Sequence, residues 1–172
     1  MEEYLYELRI PKDRVAVLIG KKGEQKKALE AQTGCTLEVD SKEGEIKILG
    51  SDSLALYTLK ELIRAIGRGF NPEIALRLLK QDYNLEVISI TDYAKGKSHF
   101  ERLRGRVIGT KGKSRSNLEQ LTNCSISVYG KTIAIIGSAE NVATAKRAVE
   151  SLLAGSPHSS VYKWLEKQQR EP

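Results

Sequence analysis

The sequence predicts an α+β chain made of two tandem copies of one unit, each a three-stranded antiparallel sheet covered by helices. Three observations predict it. Ile-Gly-x-x-Gly occurs twice, at residues 19–23 and 108–112, each time after a short apolar run and before a polar, helix-like run. The order strand, helix, glycine turn, helix, strand, strand, helix runs through both halves. The register also holds: Gly20 aligns with Gly109, Leu29 with Leu118, Cys35 with Cys124 and Val39 with Val128. After a hairpin loop shorter by two residues, Ile46 aligns with Ile133 and Gly50 with Gly137. The period is far too long for a solenoid, so internal duplication is the reading.

Each element follows from local pattern. Residues 4–10 alternate as a strand, which Pro11 ends. Asp13 is expected to cap a short helix through Val15, Leu18 and Ile19. The next helix should turn Ala28, Leu29 and Ala31 to the core and close at Gly34. Residues 35–39 and 45–49 alternate again around a polar hairpin loop. Asp52 and its neighbours open a helix with Leu56, Leu59, Leu62, Ile63 and Ile66 at helical spacing. In the second half the strands fall at 85–90, 125–129 and 132–136. A short helix spans 100–107, the next carries Leu118 and Leu121, and Ser138 caps a last one with Val142, Ala145, Val149 and Leu152 inward.

Two segments stand outside the repeat. Asn71-Pro72-Glu73 starts an added helix expected over 71–82, and a C-terminal helix over 157–169 carries Val161, Tyr162, Trp164 and Leu165. Both should pack on the body or on each other; a partner-binding face is the alternative for the second. The expected domains are 1–82 and 83–172.

Composition narrows the function. Hydrophobic residues at 40% and charged residues at 29% describe a soluble globular chain, and the net charge of +6 favours a polyanionic partner over an ordinary basic surface. Cys35 and Cys124 hold matched positions and read as small core residues, since a disulfide would have to join two cores. Two cysteines and two histidines, His99 and His158, do not make a zinc cage. No catalytic constellation is present, so an enzyme is the least favoured class and no cofactor is expected. Nothing resembles a signal peptide or a membrane helix, which points to a reducing, cytoplasmic setting.

The element order with Gly-x-x-Gly between the first two helices is that of the type I KH domain, so two tandem type I KH domains (β-α-α-β-β-α) are expected. In that module the glycine loop clamps the backbone of about four single-stranded nucleotides. Glycine lets the main chain approach a phosphate, and the following helix offers unpaired N–H groups and the positive end of its dipole. The expected RNA-binding residues are Ile19, Gly20, Lys21, Lys22, Gly23 and Lys26 in the first copy. In the second they are Arg104, Arg106, Ile108, Gly109, Thr110, Lys111, Gly112, Lys113 and Arg115. Ile19 and Ile108 would floor a groove between the first two helices and the second strand, with plain core packing as the alternative. Lys26 and Arg115 stand where many KH domains have an apolar residue, which suggests more phosphate contact or guanidinium stacking on a base. The second copy carries more flanking charge and is expected to bind RNA more strongly.

The segments 68–73, 106–113 and 155–162 resemble archaeal members of the partner-of-Nob family, over nearly the whole chain. The resemblance implies a factor in small-subunit ribosomal RNA processing that binds precursor or mature rRNA near its 3′ end. It also implies work beside the Nob endonuclease and the rRNA adenine dimethyltransferase, as a non-catalytic adaptor. Eukaryotic relatives commonly lack an intact first Gly-x-x-Gly, whereas Gly20 and Gly23 are both present here. A KH-based protein–protein adaptor and an RNA-surveillance or translation-regulating KH protein are the alternatives, with a monomer as the default state.

Overall fold

The structure is a computed structural model of the chain and describes residues 3–170. The alternating stretch near the N-terminus forms β1 (Tyr4–Arg9), and α1 (Lys12–Ile19) follows. A single 3-10 turn at Lys21–Gly23 joins it to α2 (Glu24–Thr33). Then come β2 (Thr36–Asp40), β3 (Glu45–Gly50), α3 (Ser53–Gly67) and α4 (Pro72–Ala75). The second unit repeats the order with β4 (Tyr83–Ser89), α5 (Lys97–Ile108), a 3-10 turn at Thr110–Gly112, α6 (Lys113–Thr122), β5 (Ser125–Tyr129), β6 (Thr132–Ser138) and α7 (Ala139–Leu153). A last helix, α8 (His158–Arg170), follows α7 as the much shorter α4 follows α3. The chain divides into two compact units between Gln81 and Asp82.

Each sheet is antiparallel with its third strand in the middle, in the orders β1-β3-β2 and β4-β6-β5. Tyr6 faces Ile48 and Val39 faces Ile46 in the first; Glu86 faces Ile135 and Val128 faces Ile133 in the second. One face of each sheet takes the helices. In the first unit Ile46 and Ile48 are buried with Leu18, Leu29, Leu59, Leu62 and Ile63. In the second, Leu103, Val107, Leu118, Ile133, Ile135 and Val149 form the equivalent core, which Val161 and Leu165 of α8 extend. Asp52 and Ser138 cap α3 and α7, accepting from Leu54 and Ala55 N–H and from Asn141 N–H respectively.

Several expectations change in detail. Asp13 lies in the first turn of α1, and Pro11, which makes no side-chain bond, occupies the cap. Ala28 and Ala31 are exposed, because α2 turns only Leu29 fully inward. The added helix of the first unit is one α turn followed by a 3-10 turn at Leu76–Leu79, and Lys80 is already extended. In the tighter turn residues three apart eclipse, which puts Ala75 and Leu78 together in burial, with the segment packed on α3. By contrast α8 is regular and packs on α6 and α7.

Candidate nucleic-acid interface

Both glycine turns have the same backbone. Gly20 and Gly109 end α1 and α5 with φ near 75° and ψ of 176° and 172°, while donating to Ala16 O (2.9 Å) and Gly105 O (2.8 Å). The 3-10 turn closes when Gly23 N–H donates to Gly20 O and Gly112 N–H to Gly109 O, each at 3.2 Å. Inside the turn Lys22 and Lys111 adopt φ of 55° and 57°, and Gly23 and Gly112 follow in the left-handed region.

The two glycines of each turn do different work. A Cβ at Gly20 would sit 2.6 Å from Gln25 Cβ, and one at Gly109 would sit 2.6 Å from Ser114 N. At Gly23 and Gly112 it would meet nothing within 4 Å. The first glycine lets the two helices fold against each other. The second leaves an open approach to the start of α2 or α6, where unpaired N–H groups and the helix dipole favour an anion.

The side chains around the turns sort by role. Lys21, Lys22, Thr110, Lys111 and Lys113 are exposed. Ile19 and Ile108 are half-buried, one residue beyond the fully buried Leu18 and Val107. Lys26, Arg104 and Arg115 are also half-buried. Arg115 spans the groove: its guanidinium donates to Ile126 O (3.2 Å) and lies 3.4 Å from Glu119 Oε1, while Glu119 Oε2 accepts from Ile126 N–H (2.9 Å). Both outward backbone groups of Ile126 on the edge strand β5 are therefore engaged. In the first unit Glu30 Oε2 accepts from Leu37 N–H in the same way, at 2.9 Å. Arg115 is thus held against the strand, beside the groove in which phosphate contact or stacking on a base was expected of it.

Arg106 is engaged within the fold as well. Its guanidinium donates to the carbonyls of Leu152 and Ser156, tying α5 to the end of α7 and the start of the α8 segment. The first unit achieves the same join with Arg14, which donates to Ile66 O and Phe70 O, each at 2.8 Å. Arg106 therefore has a fold-holding role that its place in a basic run hides.

Sequence reasoning missed the contribution of α8. His158 Nε2–H donates to Arg106 O (2.8 Å), and Tyr162 Oη donates to the buried Ser114 Oγ (3.2 Å). With α5 and the 110–112 turn they bound a cleft of about 690 Å³ that also takes in Arg102, Lys113 and Asn117. The motif at 155–162 was visible in sequence, but its fold against the glycine turn was not.

The fold and this site define a protein of two type I KH domains. A family model described as a eukaryotic-type KH domain of type I, the second KH domain of PNO1, matches residues 84–170, and a general KH model matches residues 5–65. A KH domain-containing protein of Methanocaldococcus jannaschii is 52% identical over 168 residues, which is 95% of this chain and 74% of that protein. The RNA-binding protein PNO1 of Oryzias latipes is 34% identical over 113 residues, 64% of this chain and 46% of its own length. The crystal structure of Dim2p from Pyrococcus horikoshii matches with a TM-score of 0.89 at 46% identity, covering 95% of this chain and 99% of that one. The a/eIF2alpha–aDim2p–rRNA complex from the same organism matches with a TM-score of 0.93 at 44% identity, over 99% and 96% of the two chains. The chain belongs to the PNO1/Dim2p family.

Proposed function

We propose that the chain is a single-stranded RNA-binding ribosome assembly factor. It acts on the 3′ region of small-subunit rRNA or its precursor, as a non-catalytic adaptor beside the Nob endonuclease and the rRNA adenine dimethyltransferase. The observation that carries this reading is the pair of glycine turns, each open at its second glycine, ringed by exposed lysines and followed by a helix start. The solved complex of the Pyrococcus horikoshii relative contains rRNA, and a relative in Aspergillus oryzae, 31% identical over 121 residues, bears the name pre-rRNA-processing protein pno1. Both support an rRNA ligand for this chain.

The test is Gly112→Asp. A carboxylate there points into open space, at a left-handed backbone cost of about 1 kcal/mol, while a phosphate is repelled. RNA binding should weaken at least tenfold, about 1.4 kcal/mol. Unchanged affinity in the folded variant would remove the reading.

A second reading, in which the first unit docks protein, is favoured by one observation. Tyr4, Tyr6, Leu54 and Tyr57 are all exposed, with Lys60 Nζ 4.7 Å from the ring centroids of both Tyr6 and Tyr57. The equivalent positions of the second unit hold Asn84, Glu86, Glu140 and Ala143, and Lys146 pairs with Glu86 at 3.0 Å. If the first unit is a scaffold, Gly23→Asp leaves RNA affinity unchanged.

A further inference from the structure

We propose that the cleft between α5, the 110–112 turn and α8 is an additional nucleotide subsite, taking one phosphate and one base of the RNA strand beyond the second clamp. This rests on reading the turn as a phosphate clamp. The cleft is continuous with that turn, since Gly109, Thr110 and Lys113 belong to both. It lies on the other flank from the base groove: Arg115 and Glu119 reach β5, whereas Ser114 reaches Tyr162 of α8. A strand crossing the turn therefore passes from one flank to the other.

The chemistry of the walls fits a nucleotide. Arg102 and Lys113 are exposed cations, Asn117 adds an amide, and none of the described residues lining the cleft is acidic. Arg106 adds fixed positive charge, because its guanidinium is held by two backbone carbonyls. The Tyr162 ring is half-buried and pinned through its hydroxyl to Ser114, with the His158 ring centroid 6.0 Å away. A ring held in place by its polar end can stack on a base with little loss of side-chain freedom.

The first unit supplies an internal contrast. At the same distances from its glycine turn, Asp13 stands where Arg102 does and Glu24 where Lys113 does. Ala28 replaces Asn117, and the added segment of that unit packs on α3 instead of on α2. The duplicated fold thus carries carboxylates on this flank in one copy and cations roofed by an aromatic helix in the other. The difference sets the cleft apart from the clamp common to both copies.

The experiment measures fluorescence anisotropy with single-stranded RNA oligonucleotides carrying the 3′-terminal small-subunit rRNA sequence, trimmed one nucleotide at a time from either end. The proteins are the wild type, Arg102→Glu, Tyr162→Leu and, as a charge control outside the cleft, Lys167→Glu. Thermal melting confirms that each is folded. Trimming from one end should cost the wild type roughly fivefold in affinity at the step that empties the cleft. That step should vanish in Arg102→Glu and Tyr162→Leu and persist in Lys167→Glu. The proposal is overturned if the step persists in both cleft variants, or if Lys167→Glu abolishes it equally. A wild type that binds the RNA with no such step removes the subsite alone, whereas one that binds none of the oligonucleotides removes the clamp reading beneath it.

Discussion

Gly20 and Gly109 combine φ near 75° with ψ near 175°, a region that only glycine occupies without strain, and a Cβ there would also overlap the next helix. Gly20→Ala and Gly109→Ala should therefore each cost about 2–4 kcal/mol in urea unfolding. Gly23→Ala and Gly112→Ala, left-handed but unobstructed, should cost only about 1 kcal/mol. Equal costs at all four would refute the division of roles. That two glycines three residues apart belong to one turn was legible in the sequence. Which of them serves the fold was not, because the neighbours that decide it, Gln25 and Ser114, are recognisable only once the helices are placed. Cys124 was legible as a core residue, and burial pushes its thiol up from 9.0 to about 11. The fold thus favours the neutral thiol, whereas the unfolded chain ionises first. The linked stability is intact below about pH 9 and lost as the pH rises to about 11, on the order of 2–3 kcal/mol. Comparing urea midpoints across that window with those of Cys124→Ala isolates the effect. A variant that loses stability just as steeply would show that other groups cause it.

Helical phase sorts the basic run of α5. Arg102, Arg104 and Arg106 look alike in sequence, yet residues two apart lie on nearly opposite sides of a helix and residues four apart share a side. Arg102 and Arg106 accordingly face the α8 flank together, with Arg102 at the surface and Arg106 drawn down to Leu152 and Ser156. The first unit clasps the matching carbonyls, Ile66 and Phe70, from Arg14, one turn further from its glycine. Two different positions thus converge on one structural need, a guanidinium that ties the first helix of each unit to the carbonyls at and just beyond the end of its third helix. Arg106→Ala leaves those carbonyls and the His158 contact poorly held, and should destabilise the second unit by about 1–3 kcal/mol. Loosening of α8 should show in the emission of Trp164, whose ring lies 4.8 Å beneath the Arg147 guanidinium. Unaltered Trp164 emission and an unaltered melting temperature would mean that Arg106 does not hold the helix. The C-terminal helix was legible from its apolar spacing, whereas the segment expected over 71–82 stops at Lys80 after a 3-10 turn, and burial three residues apart does not distinguish that turn from an α-helix.

Charge divides unevenly between two units of one fold. Residues 1–81 hold 14 basic and 13 acidic side chains, and residues 82–172 hold 14 basic and 9 acidic ones, so nearly all of the +6 lies in the second unit. Single-stranded RNA releases counterions in proportion to the phosphates neutralised, with a slope in log affinity against log salt of about −0.7 per contact. If both turns clamp phosphate, the first does so in a nearly neutral setting and the second in a strongly positive one. Long-range attraction then belongs mostly to the second unit, although the turn geometry is shared. In the full-length protein, Gly112→Asp isolates the first clamp and Gly23→Asp the second, each by adding a carboxylate in open space. Gly112→Asp should cause the larger loss of affinity and leave the shallower salt slope. Gly23→Asp should keep a slope close to that of the wild type. Matching losses and matching slopes would mean that binding depends on the common turn and not on the charge around it, and the ranking of the two units would fall.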